Sequence, residues 1–217
     1  MDNKNFIAKR VALLLKDGDV VNLGIGLPQL VANHIPEGVN VTVHAENGIV
    51  GAAGAAKPGE EDPYVFDAGG SYITVVPGAK FLISSDSFAL IRGGHVDATI
   101  LGALQVDEKG NLANWTVPGK RLTGMGGAMD LVASAKQVIC AMEHTAKGNP
   151  KILKECTFPL TGAGVVDLIV TEMGLIRVTD QGLVLEEIAP NYTVEQVQAA
   201  TGAELIISPD LIVMDIE

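Results

Sequence analysis

Between Lys16 and Lys57 the chain has no lysine or arginine, although that stretch holds two glycine turns and the glutamate around which the sequence is arranged. A phosphate bound there would need a cationic clamp from elsewhere, so a neutral, extended ligand arm suits this lining better. A net charge of −11 argues against a nucleic-acid surface, which needs clustered Lys and Arg to neutralise phosphates. Cysteine is scarce. Cys140 and Cys156 form no CxxC pair and no His cluster at ligand spacing accompanies them, so neither a disulfide scaffold nor a metal site is expected, and two cytosolic thiols are. The longest apolar run near the N-terminus, Val11–Leu15, is too short for a signal core or a membrane span, which points to a cytoplasmic protein without membrane contact. Aromatic residues make up only 4%, against 47% hydrophobic residues and 25 glycines. That balance excludes an aromatic-anchored β sandwich and favours one α/β domain over residues 1–217, with a Val, Ile, Leu and Ala core. There is no internal repeat, and the polar stretch Lys147–Pro150 is the one place for a lobe boundary.

What is present centres on Val39–Gly54, VNVTVHAENGIVGAAG. Val39, Val41, Val43 and Ala45 alternate with Thr42, His44 and Glu46, the pattern of a strand with two distinct faces. Asn47-Gly48 ends it, because that pair tolerates the positive φ of a tight turn. Ligands of open α/β sheets gather outside the carboxyl ends of strands, where this pattern sets Glu46. Taken alone, a glutamate there also fits a solvated turn. A carboxylate with an ordinary pKa of about 4.3 is ionised at neutral pH and can attack a thioester without the base that Ser or Lys requires. The absence of a Ser-His-Asp pattern is consistent with that role.

Upstream, Ile7, Val11, Leu14 and Leu15 share a helical stripe over residues 4–17, with Lys4, Lys9, Arg10 and Lys16 off it. Val20–Leu23 predicts a short buried strand feeding Gly24-Ile25-Gly26-Leu27-Pro28. Pro28 suits the first turn of a helix running toward His34. The third glycine of a dinucleotide fingerprint is missing, which disfavours NAD. Downstream, Tyr72–Val76 predicts a strand ending at Pro77-Gly78, Phe81–Ile91 a run that turns helical, and Asp97–Leu104 a buried strand. A hairpin over Gln105–Asn114 turns at Lys109-Gly110. The glycine cluster Gly124–Gly127 opens a helix and leaves backbone N–H donors able to hold an oxyanion; close packing would equally explain it. Arg92, His95 and His144 have structural explanations. Val138–Met142, Asp167–Thr171, Leu175–Val178, Leu183–Ile188 and Ala203–Ser208 predict strands. Thr193 caps a helix over Pro190–Gly202.

In combination, Asn22–Pro28, Glu46-Asn47-Gly48, Ser87–His95, Leu104–Asp107, Pro118-Gly119-Lys120 and Gly124–Val132 resemble the β subunit of the family I coenzyme A transferases, of the acetate- or butyrate-to-acetoacetate and 3-oxoacid kinds. The resemblance runs from the first helix to about Thr171. It implies an open three-layer α/β sheet, shared with ribose-phosphate isomerases, and a separate α subunit completing the site in a hetero-oligomer. It implies that Glu46 forms acyl anhydride and glutamyl-CoA intermediates. Gly126, Gly127 and Ala128 would hold the oxyanion and substrate, with Asn22, Gly24, Gly26 and Asn47 beside coenzyme A. Coenzyme A is then a substrate, alongside short-chain carboxylates, and no cofactor or metal is needed. The chain departs from the family at Ala45, where many relatives have Ser, and at Gly70, where some have Lys. Cations for the coenzyme A phosphates would come from the partner or from Lys120 and Arg121. Two other readings remain: a sugar-phosphate isomerase with Glu46 as base, lacking a phosphate clamp, and a non-catalytic subunit whose Glu46 caps a turn.

Overall fold

The computed structural model describes residues 1–120 and 124–216; Arg121, one of the two expected phosphate-binding cations, lies outside the described residues. In chain order the elements are α1 (Asn3–Ala12), β1 (Val20–Leu23), a 3-10 helix (Leu27–His34), β2 (Thr42–Ala45), β3 (Ile49–Ala55), β4 (Ile73–Phe81), α2 (Ser84–Arg92), β5 (Ala98–Leu101), β6 (Gln105–Asp107) and β7 (Leu112–Ala113). They continue with α3 (Ala128–Ser134), β8 (Gln137–Ala141), β9 (Thr145–Ala146), β10 (Asn149–Pro150), β11 (Ile152–Leu153), β12 (Leu168–Val170), β13 (Gly174–Thr179), β14 (Gly182–Ile188), α4 (Val194–Ala200) and β15 (Leu205–Val213).

Ten strands form one open sheet in the order β15-β14-β13-β12-β8-β5-β1-β2-β3-β4. Its centre, β12-β8-β5-β1-β2, is parallel throughout, and antiparallel pairs flank it on both sides. Alternate residues of the central strands feed two cores. Val21, Ile100, Ile139 and Leu168 pack under Ile7 and Val11 of α1 and Val31 of the 3-10 helix. Leu101, Val138, Cys140 and Ile169 pack on the opposite face under Val132 of α3, Val197 of α4 and the small sheet β11-β6-β7. This is the expected three-layer α/β architecture. Each fully buried Ile or Val of α1 contributes about 1.5–3 kcal/mol, which fixes a short helix of modest propensity.

The sheet's connectivity positions the site. From β1 the chain goes to β2 on one side, and after β3, β4 and α2 it returns to β5 on the other. The carboxyl end of β1 is therefore a topological switch point, where the connections diverge and leave a crevice.

Several sequence-based boundaries shift. α1 stops at Ala12, capped by Asp2 at its start, because the following loop is tied down: Asp17 accepts from the Asn40 backbone and side chain, and Gly18 donates to Asn40 O. Arg10 turns inward rather than toward solvent; its Nε donates to Glu187 Oε2 on β14 at 2.6 Å, a buried pairing that joins α1 to the sheet. Strand β4 does not end at Pro77-Gly78 but runs through them to Phe81. It is the edge strand, so the missing N–H of Pro77 costs no ladder bond, and shifts in register against β3 absorb the irregularity. The Lys147–Pro150 stretch is a tight hairpin of β9 and β10, with Lys147 at φ 53° and Gly148 at φ 79°. Cys140 before it and Ile152 after it share one core. No described helix is long and apolar enough to cross a membrane.

His144 is structural, as expected. It is fully buried past β8, with Nδ1 2.9 Å from Thr171 Oγ1 and Nε2 2.9 Å from Thr201 Oγ1. Burial, with a smaller push from the Lys151 charge, holds its pKa down to about 4 from the ordinary 6.5. Between those values the unfolded chain binds more protons than the native one, so stability rises with pH across that window and is lost as pH falls toward 4. The shift corresponds to about 3 kcal/mol between pH 7 and pH 4. We expect the urea midpoint to drop on acidification from pH 7 to pH 4.5, and the drop to shrink in His144→Gln. An unchanged pH slope in that variant would contradict the assignment.

Candidate active site

Glu46 is the first residue past β2, and the turn that holds it depends on Gly48. Gly48 adopts φ 127°, and a Cβ there would sit 2.3 Å from Leu82 O. Its N–H donates to Ala45 O and its carbonyl accepts from Leu82 N, so the turn is fastened to the segment between β4 and α2. The glutamate side chain is half-buried.

What holds its carboxylate is Asn22, fully buried on β1 and in register with His44. Asn22 Nδ2 donates to His44 O at 3.1 Å and to Glu46 Oε2 at 3.0 Å. The bond to the His44 carbonyl fixes which end of the amide faces the carboxylate, so the second bond is preorganised. His44 itself is buried on the same sheet face, its Nε2 2.9 Å from Ser87 Oγ of α2. Burial pushes its pKa below the ordinary imidazole range, against the opposing pull of the Glu46 charge.

On the other side of Glu46 lies the glycine cluster. A Cβ at Gly127 would be 3.0 Å from Glu46 Cγ and 3.2 Å from Phe88 Cζ, so the bare backbone there lies directly against the glutamate. Helices α2 and α3 are locked together to keep it so. Ile91 and Leu131 bury against one another with Val96, Arg92 Nε donates to Asp130 Oδ1 at 2.7 Å, and the Arg92 guanidinium stands 5.6 Å from the Phe88 ring centroid. These contacts support the structural reading of Arg92.

Glu46 opens into a cleft of about 590 Å³ lined by Asn22, Gly24, Ile25, Ala68 and Gly124–Ala128, with Leu101, Ala103, Leu104 and Trp115 along its far wall. Among the expected residues, Glu46, Asn22, Gly24, Gly126, Gly127 and Ala128 therefore meet in one place. Their backbone donors are not equally free. The Gly24 N–H donates to Ile100 O at 2.8 Å, and a Cβ there would lie 2.9 Å from Leu101 Cδ2, so packing against β5 accounts for this glycine. The Ala128 N–H makes a long bond of 3.3 Å to Met125 O, while Gly126 and Gly127 donate to no partner among the described residues. Gly26, at φ 90°, gives its N–H to Gln29 Oε1. It lines a second cavity of about 240 Å³ instead, together with Ala52, Ala53 and Ala55. Those alanines, expected as a wall beside Glu46, belong to β3 and to that neighbouring cavity. Asn47 is exposed and donates to Phe66 O at 2.7 Å. Lys120 is exposed on the loop preceding the cleft. Among the described residues no cluster of His, Cys, Asp and Glu could hold a metal ion.

Sequence reading missed Ser87 and Phe88, which come from α2, and the polar contact of His44. For His44 a signal existed: it stands two residues before Glu46 on the same strand face.

Comparison with known proteins places this geometry. The coenzyme A transferase family model matches residues 4–200. The beta subunit of the acetate CoA-transferase of Escherichia coli K12 is 51% identical over 212 residues, covering 97% of both chains. A subunit of the succinyl-CoA:3-ketoacid coenzyme A transferase of Helicobacter pylori 26695 is 48% identical over 199 residues, covering 91% of this chain and 96% of that one. Among solved structures, an acyl-CoA transferase of Escherichia coli O157:H7, in a thioester complex with CoA, superposes with a TM-score of 0.78 at 22% identity. That match covers all of this chain and 44% of the solved one, so this chain spans under half the length of that structural relative. The chain belongs to the coenzyme A transferase family.

Proposed function

We propose that this chain is the Glu46-bearing subunit of a two-subunit enzyme that moves coenzyme A between an acyl-CoA and a short-chain carboxylic or 3-oxo acid such as acetoacetate. The observation that carries the reading is the Glu46 carboxylate, held by Asn22 Nδ2 at 3.0 Å and set against the bare Gly127 backbone at the switch point of the sheet. A Glu46 oxygen attacks the thioester carbonyl carbon; the C–S bond breaks, and coenzyme A leaves as a thiolate from a mixed anhydride. The thiolate then attacks the Glu46 carbonyl carbon, the anhydride C–O bond breaks, and the first acid departs as its carboxylate. Glu46 is left as a thioester, and the second acid runs the two steps in reverse. No proton, electron or water is consumed, so the site's tasks are to place the carboxylate, stabilise oxyanions and exclude water.

Each tetrahedral intermediate carries charge on oxygen, and backbone donors already aimed at it lower the barrier by roughly 3 kcal/mol apiece. The amides of Gly126 and Gly127 are placed for this, and that of Ala128 joins by giving up its long bond to Met125. Asn22, Gly24, Gly26 and Asn47 border the path of coenzyme A in this reading. The thioester complex with CoA reported for the solved Escherichia coli O157:H7 relative supports the covalent intermediate. The subunit names of the Escherichia coli and Helicobacter relatives support a companion α chain in a hetero-oligomer. That companion, with Lys120 and Arg121, supplies cations for the phosphates of coenzyme A. A cytoplasmic setting accords with two unpaired thiols.

The test is an exchange assay from acetyl-CoA to acetoacetate, with the chain alone and with its α subunit. We expect parallel double-reciprocal lines for the complex and no turnover by the isolated chain. Intersecting lines would contradict a covalent intermediate, and full activity of the isolated chain would contradict the divided site.

A further inference from the structure

The cleft at Glu46 carries a charge pattern that narrows the substrate. Among the described residues lining it, Glu46 is the only ionisable side chain; the others are Asn22, Asn114, glycine backbone and an apolar wall including Leu101, Ala103 and Trp115. The nearest arginine on the supporting helices, Arg92, is spent on Asp130 and stacked on Phe88. A substrate with a second carboxylate would set that charge in a neutral, partly apolar cleft a few bonds from the Glu46 anion, with no cation of this chain's described lining to meet it. The penalty falls on the first step most strongly, when Glu46 is still charged and must approach the acyl carbonyl.

We infer that the enzyme exchanges coenzyme A between monocarboxylates with uncharged tails, and discriminates against acyl groups that carry a distal carboxylate. This rests on the transferase reading above and deepens it. The loop residue Ala68 offers the means to reverse the preference, because it lines the cleft yet is exposed, so a longer side chain there meets no packed core.

The experiment compares kcat/KM of the two-subunit enzyme for acetyl-CoA, butyryl-CoA and succinyl-CoA with acetoacetate as acceptor, in wild type, Ala68→Lys and Ala68→Met. Two like charges about 6 Å apart near a protein surface imply a wild-type preference for acetyl-CoA or butyryl-CoA over succinyl-CoA of roughly ten- to hundred-fold. Ala68→Lys should shrink that ratio by about five-fold or more, and Ala68→Met, of similar length without the charge, should leave it in place. Equal use of succinyl-CoA and acetyl-CoA by the wild type would overturn the inference, whether the balancing cation came from residues 121–123 or from the partner. So would an unmoved ratio in Ala68→Lys. In either case, a CoA adduct on Glu46 formed equally from all donors would leave the transferase reading standing. Failure of every donor to form one would sink the reading itself.

Discussion

Glu46→Gln is expected to leave the fold intact and cut transferase turnover by about 10³-fold or more, with no acyl or CoA adduct on the protein. The variant isolates nucleophilicity from shape. A glutamine carbonyl oxygen accepts the same Asn22 Nδ2 hydrogen bond, and the side chain is half-buried at a turn, so little packing changes. What is lost is the anion. An amide oxygen does not displace a thiolate from a thioester, and among the described residues lining the cleft no second carboxylate, thiol or imidazole can replace it. Circular dichroism and co-purification with the α subunit would establish that the loss is chemical. Activity within ten-fold of wild type would show that Glu46 is only a turn residue.

Gly127→Val should be nearly as damaging through geometry alone. A Cβ at this position meets Glu46 Cγ at 3.0 Å and Phe88 Cζ at 3.2 Å, closer than ordinary contact, and two further methyls have nowhere to go. Phe88 is pinned under Arg92, so the flexible partner that yields is Glu46. Displacing a reacting carboxylate by about 1 Å is enough to cost on the order of 10²-fold in kcat. Gly126→Ala is the control: no atom lies within 4 Å of a Cβ there, and its φ of 56° lies in the left-handed region at a cost of roughly 1–2 kcal/mol. We expect Gly126→Ala to lose some stability and keep most of its rate, and Gly127→Val to keep its fold and lose its rate. Comparable kcat for the two would mean that contact with the 127 backbone does not position the nucleophile.

Much of this arrangement could be read from residue order. The alternation from Val39 to Ala45 and the Asn47-Gly48 pair set both the strand and the exit of Glu46, because period-two burial and positive φ are local properties. The capping box of Thr193 and Gln196 was legible for the same reason, and both of its hydrogen bonds are present. Strand β3 was not legible: IVGAAGA is rich in glycine and alanine, and its pairing with β4 is dictated by tertiary context rather than propensity. The glycine turns show the same limit from another side. Gly24, Gly26 and Gly127 look alike in sequence, yet the first yields to β5, the second gives its donor to Gln29, and the third yields to Glu46. Which neighbour arrives at a glycine is decided by elements distant in the chain. The Ser87 contact to His44 and the Phe88 contact beside Glu46, both made by α2, were hidden for that reason.

The most direct measurement is mass spectrometry of the two-subunit complex after incubation with acetyl-CoA and no acceptor acid. The account predicts a mass gain of one coenzyme A less one water, located on the peptide that carries Glu46 and absent in Glu46→Gln. An acyl or CoA adduct on any other residue, or turnover with no adduct on that peptide at any time, would contradict it.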